Sequence, residues 1–279
     1  MSTATRNGAP PALDADFTVR ALALSLSQVL DDAGRSGFVV GLSGGVDSAL
    51  AAAVAVRAVG PGAVHGFFLP SGTTSNVSAA NARSVAEHLG IALETVTITD
   101  ALEGVGVPPE PRRRGNLAAR LRMAILYDRA AAHDALVLGT GNKSEIALGY
   151  TTLWGDMAAD CWPLGDLYKT QVLEIARAIG LSADVVDRAP SAELWEGQTD
   201  EEELGFTYRV ADHVLYYYLE GRRRPEEIED ETADAATVER VLSRVREQAF
   251  KRHLPRIPKL TTRTIGHDFH HPRAWRGPA

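Results

Sequence analysis

The segment Gly41-Leu42-Ser43-Gly44-Gly45-Val46-Asp47-Ser48 holds residue types that could handle a polyphosphate. Its glycines let backbone approach an anion without Cβ interference, and Ser43 and Ser48 add hydroxyl donors. N–H groups at the start of a helix aim the positive end of the helix dipole at the same place. Asp47 puts a carboxylate where phosphate charge would gather. That arrangement makes sense when a divalent cation joins carboxylate and phosphate oxygens. A Walker A loop would need a Lys before its last Ser or Thr, and none is present; Gly41, Gly44 and Gly45 do not have the Gly-x-Gly-x-x-Gly spacing either. A second segment, Gly139-Thr140-Gly141-Asn142-Lys143-Ser144-Glu145, offers backbone, a hydroxyl and another carboxylate. Asp47 and Glu145 converging on one sheet edge would seat Mg²⁺, completed by phosphates and water. The alternative for Glu145 is a first-turn acid that favours its helix.

The elements that must carry these groups are readable from hydrophobic patterning. Gly37-Phe38-Val39-Val40 is apolar and β-prone, and the Ala-rich run from Ala49 reads as a buried helix. After the break at Gly60-Pro61-Gly62, Ala63 to Leu69 is the second strand, so residues 38–69 form one βαβ unit. A helix over Asn76 to Leu89 stops at Gly90, and Leu93 to Ile98 alternates as a third strand. A loop over Gly104 to Arg114, a helix over Asn116 to Ala132 and a fourth strand at Ala135-Leu136-Val137-Leu138 follow. The alternation predicts an α/β fold: a doubly wound, mostly parallel, Rossmann-like sheet flanked by helices. Ligands then sit outside the carboxyl ends of the strands, where both Gly-rich segments emerge. Phe17 to Leu30 has helical spacing ahead of the first strand, Asp166 to Gly180 contains another helix, and Phe206 to Leu219 and Thr237 to Arg252 close the helical inventory.

Composition narrows the function classes. The 279 residues carry a formal net charge of −7, which argues against a broad nucleic-acid footprint. The single cysteine, Cys161, excludes an internal disulfide and a Cys-pair metal or sulfur-relay site, and it fits a reducing cytoplasm. No run approaches the ~18 apolar residues of a membrane span. Residues 1–16 read as a flexible tail without the apolar core of a secretory signal, residues 17–255 as one domain, and residues 256–279 as a basic tail. From Lys251 onward seven Lys/Arg face Asp268 alone.

Three further stretches could serve the site. Pro70 to Ser75 follows the second strand and either touches nucleotide or simply enters a helix. Trp154 and Trp162 lie in a loop with Asp156, Asp160 and Cys161, and such aromatics either stack on a flat ring or pack in the core. Lys169 is a phosphate ligand or merely solvated. The polar, Gly-punctuated Pro190 to Gly205 has the length of a lid.

The Ser-Gly-Gly-x-Asp-Ser order resembles the PP-loop of ATP pyrophosphatases, which cleave ATP between the α- and β-phosphates. The wider chain resembles the synthetase domain of ammonia-dependent NAD synthetases. The residues that carry the resemblance are Leu138 to Glu145, Gly149-Tyr150, Gly155-Asp156, Gly165-Asp166-Leu167-Tyr168-Lys169-Thr170-Gln171, Pro190-Ser191-Ala192 and Gly197-Gln198-Thr199-Asp200-Glu201-Glu202-Glu203-Leu204-Gly205. The resemblance implies ATP-dependent amidation of deamido-NAD by ammonia, with Mg²⁺ as cofactor and a homodimer as the assembly. It assigns Gly41, Leu42, Ser43, Gly44, Gly45, Val46, Asp47, Ser48, Thr140, Lys169 and Ser191 to ATP. It assigns Arg120, Asp160 and Lys251 to deamido-NAD, and Asp47 and Glu145 to the metal; Asp47, Lys169 and Asp160 are the expected catalytic residues. Two positions depart from the pattern. Many members have Lys where Leu153 stands and His where Phe250 precedes Lys251. The Leu153 to Met157 stretch looks more like glutamine-dependent relatives, whose additional nitrilase-like domain is not expected within 279 residues. Another PP-loop amidating or tRNA-modifying ligase, or a catalytically silent nucleotide-binding module, are the competing expectations.

Overall fold

A computed structural model describes residues 10–106, 110–191, 198–230, 232–253 and 255–265. Helix α1 (Ala15–Ala33) starts on an Asp14 side-chain cap and stops at Gly34 in the left-handed region. Strand β1 (Gly37–Gly41) runs into α2 (Val46–Val59), then β2 (Val64–Phe68), α3 (Asn76–Leu89) and β3 (Ala92–Thr95). The short α4 (Thr99–Gly104) and long α5 (Pro111–Ala132) lead to β4 (Ala135–Leu138) and α6 (Lys143–Leu148). Helices α7 (Lys169–Ala178), α8 (Ala183–Val186), α9 (Asp200–Leu204), α10 (Tyr208–Leu219) and α11 (Ala235–Glu247) complete the order.

All strand pairs are parallel, in the order β3-β2-β1-β4. The chain builds outward from β1 through β2 to β3, then crosses back to place β4 on the other side of β1. The direction of winding therefore reverses between β1 and β4, which opens a crevice at their carboxyl ends. Phe38, Val39 and Val40 are fully buried, as expected of a strand covered on both faces. One face packs on α1, α2, α3 and α7, with Leu26, Leu50, Val54 and Ile175 in the shared core; the other packs on α4 and α5 through Leu102, Met123 and Leu126. A separate apolar cluster joins α6, α10 and α11 around Leu148, Leu215 and Leu242.

Several boundaries differ from the sequence expectation for physical reasons. The basic run Arg112-Arg113-Arg114 is the first turn of α5 and not loop, because Pro111 opens the helix and the Glu110 carboxylate accepts from Arg112 and Arg113 N–H. Strand β3 ends at Thr95, three residues before Ile98 turns into α4. The expected lid over 190–205 is helical at α9, and Asp200 N–H bonds Pro190 C=O across its base; residues 192–197 lie outside the described part. Within the expected N-terminal tail, Pro10 is buried and Pro11 C=O accepts from Gln171. Most of the expected C-terminal tail, residues 266–279, lies outside the described part. Among the described residues no helix is long and apolar enough to cross a membrane.

Candidate active site

The loop between β1 and α2 is held open by its own side chains. Gly44 takes φ +83°, and a Cβ there would stand 2.4 Å from Ser78 C=O; only glycine fits that approach. Ser48 is 3% exposed; its hydroxyl donates to Gly45 C=O and accepts from Ser43 N–H. Ser43 Oγ accepts from Gly45 N–H. The two hydroxyls expected to face phosphate thus also shape the loop that would cradle it.

On the opposite lip, α6 begins with a capping box: Asn142 Oδ1 accepts from Glu145 N–H, and Glu145 Oε2 accepts from Asn142 N–H. The other end of the Asn142 amide donates to Asp47 Oδ1 at 2.8 Å. This fully buried Asn142 ties the first turns of α2 and α6 together. The residue stood within the quoted motif, and its N-cap position ahead of Lys143 was the available signal for it.

Lys169 opens α7 and is 2% exposed, so its solvated reading is incorrect. Its Nζ donates to Asp47 Oδ2 at 2.5 Å and to Glu145 Oε1 at 3.3 Å. Asp47 and Glu145 therefore both lie within reach of the Lys169 ammonium. Burial pulls the Lys169 ammonium down, but the charges of Asp47 and Glu145 more than offset it and hold it above the ordinary lysine value. The Glu145 carboxyl is pushed up to about 8, by burial first and by the Asp47 charge second. Asp200 adds a further acid to this corner. It is 4% exposed, its Oδ2 accepts from the Tyr208 hydroxyl at 3.2 Å, its Oδ1 has no partner, and burial pushes its carboxyl up.

Two carboxylates on one lip suit a hard divalent cation that takes its remaining oxygens from phosphates and water. Among the described residues no group of three or more His, Cys, Asp or Glu is arranged to hold an ion alone.

A cavity of about 590 Å³ opens from this lip, within the size of small-molecule sites. Gly41, Leu42, Ser43, Asp47, Ser48, Thr140 and Glu145 line one part, and Arg120, Leu153, Phe250 and Lys251 line another. Arg120 Nε donates to Leu153 C=O, while Lys251 Nζ donates to Gly149 and Thr151 C=O at 2.7 Å each. Both cations thereby hold the 149–153 wall.

Of the expected residues, Gly44, Gly45, Val46, Asp160, Ser191 and Lys169 stand apart from the cavity lining. Asp160 Oδ2 accepts from Val137 N–H at 2.7 Å and Asp160 N–H donates to Val137 C=O at 3.0 Å, so Asp160 fastens β4. Ser191 is half-buried at the start of the partly undescribed loop. Lys169 reaches the carboxylates from below the floor. Neither Trp154 nor Trp162 borders the cavity: Trp162 packs on Gly139, where a Cβ would stand 2.0 Å from the ring, and Trp154 is 54% exposed. The aromatic side chains that do line it are Phe67, Phe68, Tyr150 and Phe250.

The family model described as NAD synthase matches residues 18–255. The chain belongs to the NAD synthase family. A relative from Trichlorobacter lovleyi, named NH(3)-dependent NAD(+) synthetase, is 46% identical over 240 residues, covering 85% of this chain and 88% of its own. The fold is similar to a solved structure titled NMN synthetase from Francisella tularensis, with TM-score 0.78 and 34% identity over 89% of this chain and all of the other. It is also similar to an NH3-dependent NAD synthetase from Campylobacter jejuni, with TM-score 0.74 and 27% identity over 88% of this chain and all of that one.

Proposed function

We propose that the chain is an ATP-dependent C–N ligase that amidates deamido-NAD to NAD with ammonia, releasing AMP and pyrophosphate. The observation that carries this reading is the meeting of Asp47, Glu145 and Lys169 at the β1/β4 edge, beside a cavity that continues to Arg120 and Lys251.

A nicotinate carboxylate is a poor acyl donor because its leaving group would be an oxide. In the first step one carboxylate oxygen attacks the α-phosphorus of ATP, and the bond to the bridging oxygen breaks to release pyrophosphate. In the second step ammonia attacks the carbonyl of the acyl adenylate, AMP leaves with the former carboxylate oxygen, and the nitrogen loses a proton to solvent or base. The loop from Gly41 to Ser48, together with Thr140 and Ser191, holds the nucleotide, and its fixed N–H groups meet the charge that builds on the phosphates. Asp47 and Glu145 would hold Mg²⁺, which when bound neutralises the triphosphate and the departing pyrophosphate. Lys169 enters the same charge balance from beneath. Arg120 and Lys251, through the 149–153 wall, fix the dinucleotide so that carboxylate and phosphorus are neighbours, and that alignment removes much of the entropic barrier. Asp160 acts at one remove by holding β4 and with it Thr140. A cytoplasmic homodimer belongs to the same reading, and sedimentation tests the dimer.

The likeness to a protein titled NMN synthetase favours one second reading, amidation of the mononucleotide counterpart of deamido-NAD. Incubation with ATP, Mg²⁺ and ammonium, with either substrate supplied, separates the two. NAD and AMP in equal amounts from the dinucleotide are expected. Product from the mononucleotide alone would select the second reading, and ATP binding with no AMP from either would contradict both.

A further inference from the structure

We propose that Asp212 is a positioning residue: from the helical layer it sets the start of α7, so that Lys169 enters between Asp47 and Glu145. The inference rests on the part given to Lys169 above. Asp212 lies on α10, is fully buried and does not border the cavity, so it acts on ligands only through other groups.

The first N–H groups of a helix have no partner within it. Helix α7 is preceded by Tyr168, whose side chain makes no cap bond to them. Asp212 supplies the cap from another helix. Its Oδ2 accepts from both Thr170 N–H and Thr170 Oγ1, each at 2.8 Å. Its Oδ1 accepts from the Ser144 hydroxyl, whose oxygen in turn accepts from Lys169 N–H at 2.9 Å. One carboxylate thus fastens the first turn of α7, which carries Lys169, and the first turn of α6, which carries Glu145.

Burial raises the Asp212 carboxyl while the Ser144 and Thr170 donors oppose that shift. Bonds to an ionised carboxylate are the stronger kind of hydrogen bond, and a carboxylate also suits the positive end of α7. A neutral cap would satisfy the N–H groups. The location is what gives the pairing its consequence: the residue whose N–H is held is the one whose Nζ stands 2.5 Å from Asp47.

Asp212→Asn keeps the side-chain shape but turns one acceptor into an NH2 facing groups that already donate. The expected result is a fall in kcat for NAD formation of about 10- to 100-fold, the scale of a misplaced catalytic group, with KM for ATP within about twofold of the parent. Asp212→Asn is then made in a Lys169→Met background and residual AMP release is followed. Because Asp212 works through Lys169, the second change should alter that rate by less than about twofold. Losses that multiply in the double variant overturn the proposal alone. A Lys169→Met protein with parental kcat overturns the reading of Lys169 and the proposal with it. Should Asp212→Asn fail to fold, Ser144→Ala cuts the link to Lys169 N–H and leaves the Thr170 bonds in place. It should lower kcat without changing KM for ATP, and parental kcat in Ser144→Ala overturns the proposal.

Discussion

The two parts of the cavity are built in different ways. Around Asp47 nearly every polar atom is committed: Asn142 and Lys169 hold its carboxylate, Lys169 bridges to Glu145, and Asp212 holds the helix that brings Lys169 in. Around Leu153 and Phe250 the wall is apolar or open to solvent, and the cations there, Arg120 and Lys251, bond backbone carbonyls. The first part is arranged like a reaction centre, where a small displacement costs rate. The second is arranged like a recognition surface, where a change costs affinity. Chemistry and recognition should therefore respond to mutation in separable ways.

The largest effect is expected at Lys169. Lys169→Met leaves Asp47 and Glu145 facing one another with no cation between them, and breaking a buried ion pair costs about 3–5 kcal/mol. Denaturant titration should show that loss together with a collapse of kcat. Unchanged stability would mean that the three groups are not coupled. Asp47→Asn comes next: it should stop pyrophosphate release, with kcat falling about 10²- to 10³-fold, as for the loss of a donor aimed at developing charge. Retained release would remove Asp47 from the chemistry.

Arg120→Ala should act on the other part alone. Loss of one charge-assisted contact, about 1.5–3 kcal/mol, raises KM for deamido-NAD roughly 10- to 100-fold while KM for ATP and kcat stay near the parent values. A kcat loss of the same size would erase the distinction between the parts. Leu153→Lys sharpens it in the opposite direction: a cation on the cavity wall should lower KM for the dinucleotide a few-fold by steady-state assay, and no change would leave the apolar wall sufficient for binding.

The smallest effect is in pH. Because Glu145 sits near 8 in the folded protein against an ordinary carboxylate value, the folded state binds the extra proton. Glu145 therefore lowers stability as pH rises from about 5 to 8, and Glu145→Gln should flatten that fall in a denaturation series. Divalent-ion affinity should rise over the upper end of the same window, since the ion must displace that proton; calorimetry showing a flat profile would contradict the shared seat.

How much of this could be read from the sequence follows the same division. The strands and the two Gly-rich turns announce themselves locally: an apolar run, a glycine, an Ala-rich run. Their convergence also follows, because parallel β-α-β order forces the turns after β1 and β4 to one edge. The start of α5 was hidden because three arginines look like a solvated loop until Glu110 and Pro111 are recognised as its cap. The sequence leaves Lys169 as either a phosphate ligand or a solvated lysine, because its burial depends on two acids 122 and 24 residues away. Asp212 offered no local signal, being one acid in the helical stretch Tyr208–Leu219 whose partners lie on α6 and α7. Trp154 and Trp162 illustrate the converse: conspicuous residue types whose side chains pack on backbone or face solvent.

Where ATP is broken decides the chemistry assigned to the β1/β4 edge. Deamido-NAD carrying ¹⁸O in its nicotinate carboxylate, turned over with ATP and ammonium and followed by mass spectrometry, should deliver one labelled oxygen into AMP. Label appearing in inorganic phosphate, with ADP as the nucleotide product, would place the attack on the γ-phosphorus and contradict the assignment of the β1/β4 edge to adenylation.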